Sequence, residues 1–215
     1  MTEESWRAGW AGDFADLRGR RVESWVGVEW ALREDVPGSG PQFHDPAVPC
    51  LQLWGLQAVF DDGGLFSICT YDDEAVSGLW RNRSEEFDAK LHDSSRWAED
   101  GGVTRWRALR ELPVGEVEEV TAYADEGQLA EVLLVIGGRP LLLMAGELYE
   151  TWEDELEFHR LDESVLAFTD PAAAERVPWT PSRQDWSRAP TPLETARPEH
   201  RRQGRAKAER RPKDA

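Results

Sequence analysis

Two groups of carboxylates have the residue types and the spacing that could support chemistry. One group brackets a predicted turn and the other follows the most apolar segment; the members are Asp61, Asp62, Asp72, Asp73 and Glu74, and Glu147, Glu150, Glu153, Asp154 and Glu155. Two or three carboxylates that converge on a dry pocket can bind a divalent metal ion and support hydrolysis. Because 42 of the 215 residues are acidic, such pairing carries little information, and acids at turn tips usually form a solvated rim. We favour the solvated interpretation and keep a hydrolase with a carboxylate cluster and a divalent metal as the alternative.

The histidines and cysteines provide no clear catalytic pattern. His44 and His92 each precede an aspartate, but a lone histidine beside an acid is more often inert than catalytic. Cys50 and Cys69 lie 19 residues apart without a C-x-x-C pair, which argues against a structural zinc site. The phosphate-binding, dinucleotide-binding, zinc-protease and nucleophile-elbow motifs are also missing. We therefore predict no catalytic residue, no metal ligand and no cofactor, and we favour a protein that is not an enzyme.

The segment ELYETW, from Glu147 to Trp152, is the main candidate for a binding site. It places Tyr149 and Trp152 beside Glu147 and Glu150, directly after the most apolar segment. Aromatic side chains with charged neighbours are typical of binding hot spots. The alternative is structural: the strand ends here, and the two rings close the edge of the core.

Two further tryptophans are candidate binding residues. The chain contains 11 tryptophans, and most are expected to fill gaps in a modest core. Trp179 and Trp186 differ because they lie in the proline-rich segment VPWTPSRQDWSRAP. They either strap this segment onto the folded body or remain exposed for a partner.

Strands must position these residues. Val114 to Glu150 is predicted to form three consecutive strands, with turns at 125–127 and at 137–138. The middle strand, LAEVLLVIG, is apolar on both faces, which predicts a central strand covered on each side. An acid-glycine turn at 61–63 predicts a hairpin. Further strands are predicted at 22–33, 51–60, 64–71, 103–111 and 156–169, and loops at 35–49 and 72–83.

Short helices are expected at three places. Trp6, Trp10, Phe14 and Leu17 recur at helical spacing near the N-terminus. Residues 84–92 begin with a capping serine followed by two glutamates, and Asp170 precedes a proline that can open a third helix.

The domain organisation follows from these elements. We predict a mainly β fold, an antiparallel sandwich or barrel-like sheet, in one acidic domain at 1–180. Residues 49–68 match residues 113–132 weakly, which indicates a tandem duplication with halves at 20–80 and 103–170. Two generic acid-glycine hairpins would produce most of this match too. Residues 181–215 are predicted to be a disordered, proline- and arginine-rich tail, because they contain too little apolar surface to offset their ordering entropy.

Charge limits the partners. The net charge is −17, whereas the final 20 residues carry eight basic and three acidic side chains, a net charge of +5. The acidic body disfavours nucleic acid and anionic membranes and favours a basic protein. With no secretory signal and no apolar run near 18 residues, we expect a soluble, cytoplasmic protein. The 22 arginines against 3 lysines are typical of a GC-rich, bacterial genome.

Three functions are compatible with this sequence. We favour an acidic protein-binding module, such as an immunity or inhibitor protein, because electrostatic attraction accelerates its association with a basic enzyme. The carboxylate hydrolase is the second hypothesis. The third is a structural or regulatory protein that acts through its basic tail.

Overall fold

The computed structural model describes residues 10–73, 76–93, 102–125, 128–180, 182 and 187–188. Its strands are β1 (Arg21–Trp30), β2 (Arg33–Val36), β3 (Gly40–Gln42), β4 (Leu51–Phe60), β5 (Leu65–Asp73), β6 (Val76–Asn82), β7 (Thr104–Ala108), β8 (Gly115–Asp125), β9 (Gln128–Ile136), β10 (Arg139–Glu150), β11 (Leu156–Phe168), β12 (Trp179–Thr180) and β13 (Ser187–Arg188). Its helices are α1 (residues 10–15), α2 (Glu85–His92) and α3 (Pro171–Arg176). The predicted mainly β fold is confirmed. Trp6, Trp186 and nearly all of the predicted disordered tail lie outside the described residues.

Six strands form a closed ring. β4 pairs with β1 along one edge and with β11 at the start of its other edge. From β11 the ring continues through β10, β9 and β8 and returns to β1. Every one of these pairings is antiparallel, so the barrel-like alternative of the prediction is confirmed. Closure matters because it leaves the ring without an open strand edge.

Side chains from all six ring strands meet in the main core. Buried residues of this core include Trp25, Leu53, Val120, Leu134, Leu143 and Val165. A second core lies on the opposite face of β10 and contains Leu142, Met144 and Leu148. The predicted central meander is therefore confirmed, and it is covered on both sides. Its second turn needs glycine, because Gly137 and Gly138 have φ angles of 55° and 73°.

A wide irregularity in β11 shapes the surface beside the meander. Ala145 of β10 pairs with Val165, but the next residue, Gly146, pairs with Arg160. Residues 161–164 therefore bulge out of the ladder, and Leu161 adopts a left-handed φ of 55°. A side chain at Gly146 would place its Cβ 2.6 Å from the His159 carbonyl oxygen, so glycine is required for this close approach.

The hairpin of β5 and β6 extends from the ring, and here the sequence-based prediction was wrong. Residues 72–83 were predicted to be a loop, but 76–82 pair with β5. The segment VSGLWRN looks loop-like because of its Ser-Gly pair. Gly78 is needed for packing instead, since a Cβ there would lie 3.0 Å from the Gln128 side chain of β9. In the predicted loop at 35–49, β2 and β3 form a small separate hairpin.

Helices α2 and α3 agree with the predicted capping pattern, whereas the predicted start of the first helix lies outside the described residues. The Ser84 hydroxyl accepts a hydrogen bond from the Phe87 amide at the start of α2, and the Asp170 carboxylate caps α3 through the Ala172 amide. Phe14 of α1 is fully buried in the main core. None of the described helices has both the length and the apolar character needed to span a membrane.

The two segments that match weakly in sequence, 49–68 and 113–132, contribute to the hairpins β4–β5 and β8–β9. Duplication remains a prediction, because acid-glycine turns produce such hairpins without common ancestry.

Candidate functional site

The turn between β10 and β11 projects Trp152 into solvent. The turn is ordered by hydrogen bonds: the Thr151 amide donates to the Glu155 carbonyl at 2.8 Å, and the Asp154 amide donates to the Thr151 carbonyl at 3.0 Å. The Thr151 hydroxyl also accepts from the amides of Glu153 and Glu155, both at 3.2 Å. Trp152 is nevertheless 90% exposed. The fold therefore displays this indole on a rigid turn between acidic neighbours.

Arg33 anchors the same turn to the body. Its Nε lies 3.0 Å from a Glu150 carboxylate oxygen, and its Nη1 lies 3.0 Å from Asp45. A third guanidinium nitrogen donates to the Asp154 carbonyl at 3.2 Å. The Ala47 amide and Arg33 together hold the pKa of Asp45 below its usual value. Glu150 thus has a structural partner, and its remaining surface faces solvent.

Glu147 differs from the other acids of its cluster because it is buried. It is only 8% exposed, and it lies near Asp162 and Glu163 of the β11 bulge. Burial, together with these two negative charges, raises the pKa of Glu147 to about 7. The buried Ser164 hydroxyl partly offsets this shift, although its geometry falls short of a full hydrogen bond. The sequence placed Glu147 in a solvated rim, and the bulge in β11 is the reason that the structure does not.

Tyr149 lies two residues farther along β10 and borders the same bulge. Its ring meets the His159 ring edge-on, with centroids 4.9 Å apart, and it remains 42% exposed. Burial of the hydroxyl, followed by the charges of Glu147 and Asp162, raises the pKa of Tyr149. The phenol is therefore protonated at neutral pH, and its interaction with the Asp162 carboxylate as a hydrogen-bond donor contributes to the raised pKa.

Replacing Glu147 with glutamine should change how stability depends on pH. The folded-state pKa of about 7 lies above the ordinary value of 4.5, so the folded chain keeps a proton that the unfolded chain loses. Wild-type stability should fall as pH rises from about 4.5 to about 7 and then level off. The free energy of unfolding of Glu147→Gln minus that of wild type should therefore be about 1–3 kcal/mol larger at pH 8 than at pH 5. Urea unfolding at both pH values measures this, with Glu153→Gln as the exposed control; an identical gap at both pH values would contradict it.

Trp179 is buried, whereas Trp152 is exposed. Its indole is 7% exposed, packs against the rings of Phe158 and Phe168, and donates from Nε1 to the Ala174 carbonyl at 2.7 Å. Of the two alternatives for this residue, the structure shows the strap onto the body. Trp186 lies outside the described residues, so both alternatives stay open for it.

A buried ion-pair network was not predicted from the sequence. Glu29 of β1 is 2% exposed and accepts from Arg105 Nε at 2.6 Å and from Arg107 Nη2 at 2.7 Å. Arg107 also pairs with Glu111. The network lines a cavity of about 420 Å³ that also includes Phe43 and His44. The sequence feature that could have indicated a buried acid is Glu29 itself, because it is the only charged residue in the otherwise apolar run VGVEWAL.

Within the described ranges, no three histidine, cysteine, aspartate or glutamate side chains are arranged so that they could hold a metal ion. The metal-dependent hydrolase was a sequence-based alternative and remains an untested prediction. Comparison of the chain with protein-family models, with curated proteins and with solved structures gives no match.

Proposed function

We propose that the protein is a binding module that recognises a basic protein surface through the turn between β10 and β11. The observation that carries the proposal is the 90% exposure of Trp152 on a hydrogen-bonded turn flanked by Glu150, Glu153 and Glu155. A tryptophan side chain has only two rotatable bonds, so it offers a large apolar area at a low cost in conformational entropy, and tryptophan is enriched among binding hot spots.

Charge supports a basic partner for this surface. The chain carries a net charge of −17, and such a field attracts a basic protein over distances comparable with the Debye length. The exposed acids at the turn would form the polar rim around the tryptophan anchor. This arrangement is the one expected of an immunity or inhibitor-type protein, which gains association rate from charge and lifetime from its aromatic anchor.

The substitution Trp152→Ala should weaken binding without unfolding the protein. Because the side chain makes few contacts in the free protein, we expect its loss to change the free energy of unfolding by less than about 0.5 kcal/mol. Binding of the basic partner should weaken about tenfold or more. Affinity capture from native lysate, followed by titration of the purified partner, measures both effects.

The control for this experiment is Val114→Ala, which truncates another exposed apolar side chain, 52% accessible, outside the turn. The proposal requires a captured protein that is basic, that is retained by Val114→Ala, and that is lost or weakened by Trp152→Ala. Raising the salt concentration should slow association. Equal capture of the basic protein by both variants would exclude the turn as the binding surface. Capture of no basic protein at low or at high salt would also contradict the proposal.

A further inference from the structure

A second cavity, of about 270 Å³, lies between the β5–β6 hairpin, α2 and the β11 bulge. Aromatic rings make up much of its lining: Trp54, Tyr71, Trp80 and Phe87. Tyr71 and Trp80 have centroids 5.8 Å apart and planes inclined at 55°. Trp54 and Phe87 stack 5.3 Å apart at 29°. Trp54 also has the Lys90 ammonium 4.8 Å from its ring centroid, so a ligand in this space would meet mainly the rings of Tyr71 and Trp80.

Contacts with neighbouring side chains hold these rings in place. The Trp80 Nε1 donates to the Cys69 sulfur at 2.7 Å, and Tyr71 meets the Trp10 ring edge-on at 5.5 Å. Phe87 is positioned by α2 and packs on a small buried cluster around Leu91. A ligand would not have to order these side chains, which reduces the cost of binding.

One wall of the cavity contains an acidic residue. Glu163 lines the cavity, and the Thr70 hydroxyl donates to its carbonyl oxygen, which ties the bulge to β5. Asp162 lies next to it and accepts from the Glu163 amide at 2.8 Å. Among the described arginines, lysines and histidines, none forms an ion pair with Glu163. The cavity lining itself contains no basic residue.

We propose that this cavity binds an alkylammonium group, specifically a methylated or quaternary one. The faces of tryptophan, tyrosine and phenylalanine rings attract cations, and aromatic cages with a nearby carboxylate suit ammonium groups without N–H donors. A methylated ammonium is favoured over a primary amine because its methyl groups spread the positive charge and bind water less strongly. Less hydration is therefore lost when it enters a pocket lined by aromatic rings.

This site is separate from the Trp152 turn and does not depend on the basic partner proposed there. The same cation could belong to a free small molecule or to a methylated lysine side chain of a protein. The shared chemistry is the trialkylammonium head, and the volume of about 270 Å³ suits a group of that size better than a larger ligand.

Titration of the full-length protein with choline chloride tests the proposal. We expect saturable binding by calorimetry with a Kd on the order of 1 mM, over a sodium chloride background of equal ionic strength. The neutral isostere of choline, in which a tert-butyl group replaces the trimethylammonium group, should bind at least about tenfold more weakly. No saturation with choline, or equal affinity for the neutral isostere, would overturn the proposal.

Matched variants locate the site. Tyr71→Ala removes a partly exposed ring and Glu163→Gln removes the charge, and each should weaken choline binding about three- to tenfold. Tyr71→Phe keeps the ring and should bind like wild type. Trp152→Ala should also bind choline like wild type, which separates this test from that of the turn. Unchanged affinity in both Tyr71→Ala and Glu163→Gln would show that the cation binds elsewhere and would overturn the proposal.

Two ligands distinguish the source of the cation. A short peptide with trimethyllysine that binds at least about tenfold more tightly than choline would assign the cavity to a protein partner. Equal affinities would assign it to a small molecule. Both results retain the alkylammonium site, whereas a peptide with unmodified lysine that binds as well as the trimethyllysine peptide would contradict the preference for methylation.

Discussion

Replacing Glu29 with glutamine is expected to destabilise the protein by about 2–3 kcal/mol, because the buried carboxylate accepts a charge-assisted hydrogen bond from each of two arginines. The Glu29 side chain is 3% exposed and bonds Arg105 and Arg107 at the same time. Desolvation lowers the pKa of Arg107, but the hydrogen bonds to Glu29 and Glu111 outweigh it and raise this pKa overall. Glutamine has nearly the same shape as glutamate, so the loss reports charge and not packing. Urea unfolding at pH 7 provides the free energy of unfolding.

The matched control is Glu111→Gln, which removes the other carboxylate that pairs with Arg107. Glu111 has a side-chain exposure of 39%, so solvent can replace its contribution, and we expect a cost below about 1 kcal/mol. Combining Glu29→Gln with Arg105→Met should recover part of the loss, since one unpaired guanidinium disappears. Equal costs for Glu29→Gln and Glu111→Gln would show that burial of Glu29 does not govern the network.

The ion pairs of Glu29 join the same two strands, β1 and β7, that the backbone ladder joins. Glu29 and Arg105 are partners in the register of β1 and β7, and β1 is the strand to which β7 pairs. The ion pairs therefore act at the same place as the backbone ladder. We expect β7 to be the first described strand to lose amide protection in hydrogen exchange when Glu29 is neutralised.

Replacing Trp179 with alanine is expected to cost about 3–5 kcal/mol, the usual range for a large buried aromatic. The substitution removes the ring that packs on Phe158 and Phe168, with centroids at 5.6 and 6.1 Å. It also leaves the Ala174 carbonyl without the indole donor. For a chain of this size the melting temperature should fall by roughly 10 °C. Calorimetry or circular dichroism during heating measures the change.

Trp152→Ala is the natural control, because it removes the same side chain from an exposed site. We expect its melting temperature to remain within about 2 °C of wild type. Trp179→Phe should lie between the two, since it retains a ring in the second core but loses the hydrogen bond to Ala174. A Trp179→Ala protein as stable as Trp152→Ala would mean that the proline-rich segment does not need to dock for the body to fold.

Local signals in the sequence were sufficient for the hairpins, the helix caps and the core strands. The turn at 61–63 depends on adjacent aspartates and a glycine, the turn at 137–138 depends on two glycines, and the caps of α2 and α3 depend on Ser84 and Asp170. Such features are set by neighbouring residues, so they can be predicted without knowledge of the fold. Strand β6 was not predicted because its Ser-Gly pair is typical of a loop. In the structure Gly78 lies close to Gln128 of β9, a contact between distant segments that the local sequence does not show.

In the candidate sites, too, the sequence predicted features that depend on neighbouring residues and missed those that depend on distant contacts. The sequence indicated that Glu147 to Trp152 combines acids and aromatic rings, and it predicted a β-rich scaffold that would carry them. It did not distinguish buried Glu147 from its exposed neighbours, or buried Trp179 from exposed Trp152, because burial depends on which distant segments pack against each side chain. Nor did it bring Glu163 to Trp80 and Tyr71, which lie far away in sequence.

The sequence by itself therefore determined the core strands, the tight turns, the caps of α2 and α3 and the strong negative charge, all of which depend on composition or on neighbouring residues. The tertiary structure decided the closure of the six-stranded ring, the bulge at 161–164, the burial of Glu29 and Glu147, and the aromatic cavity. These features depend on contacts between distant segments, and their energies arise only when water is excluded from the space between those segments.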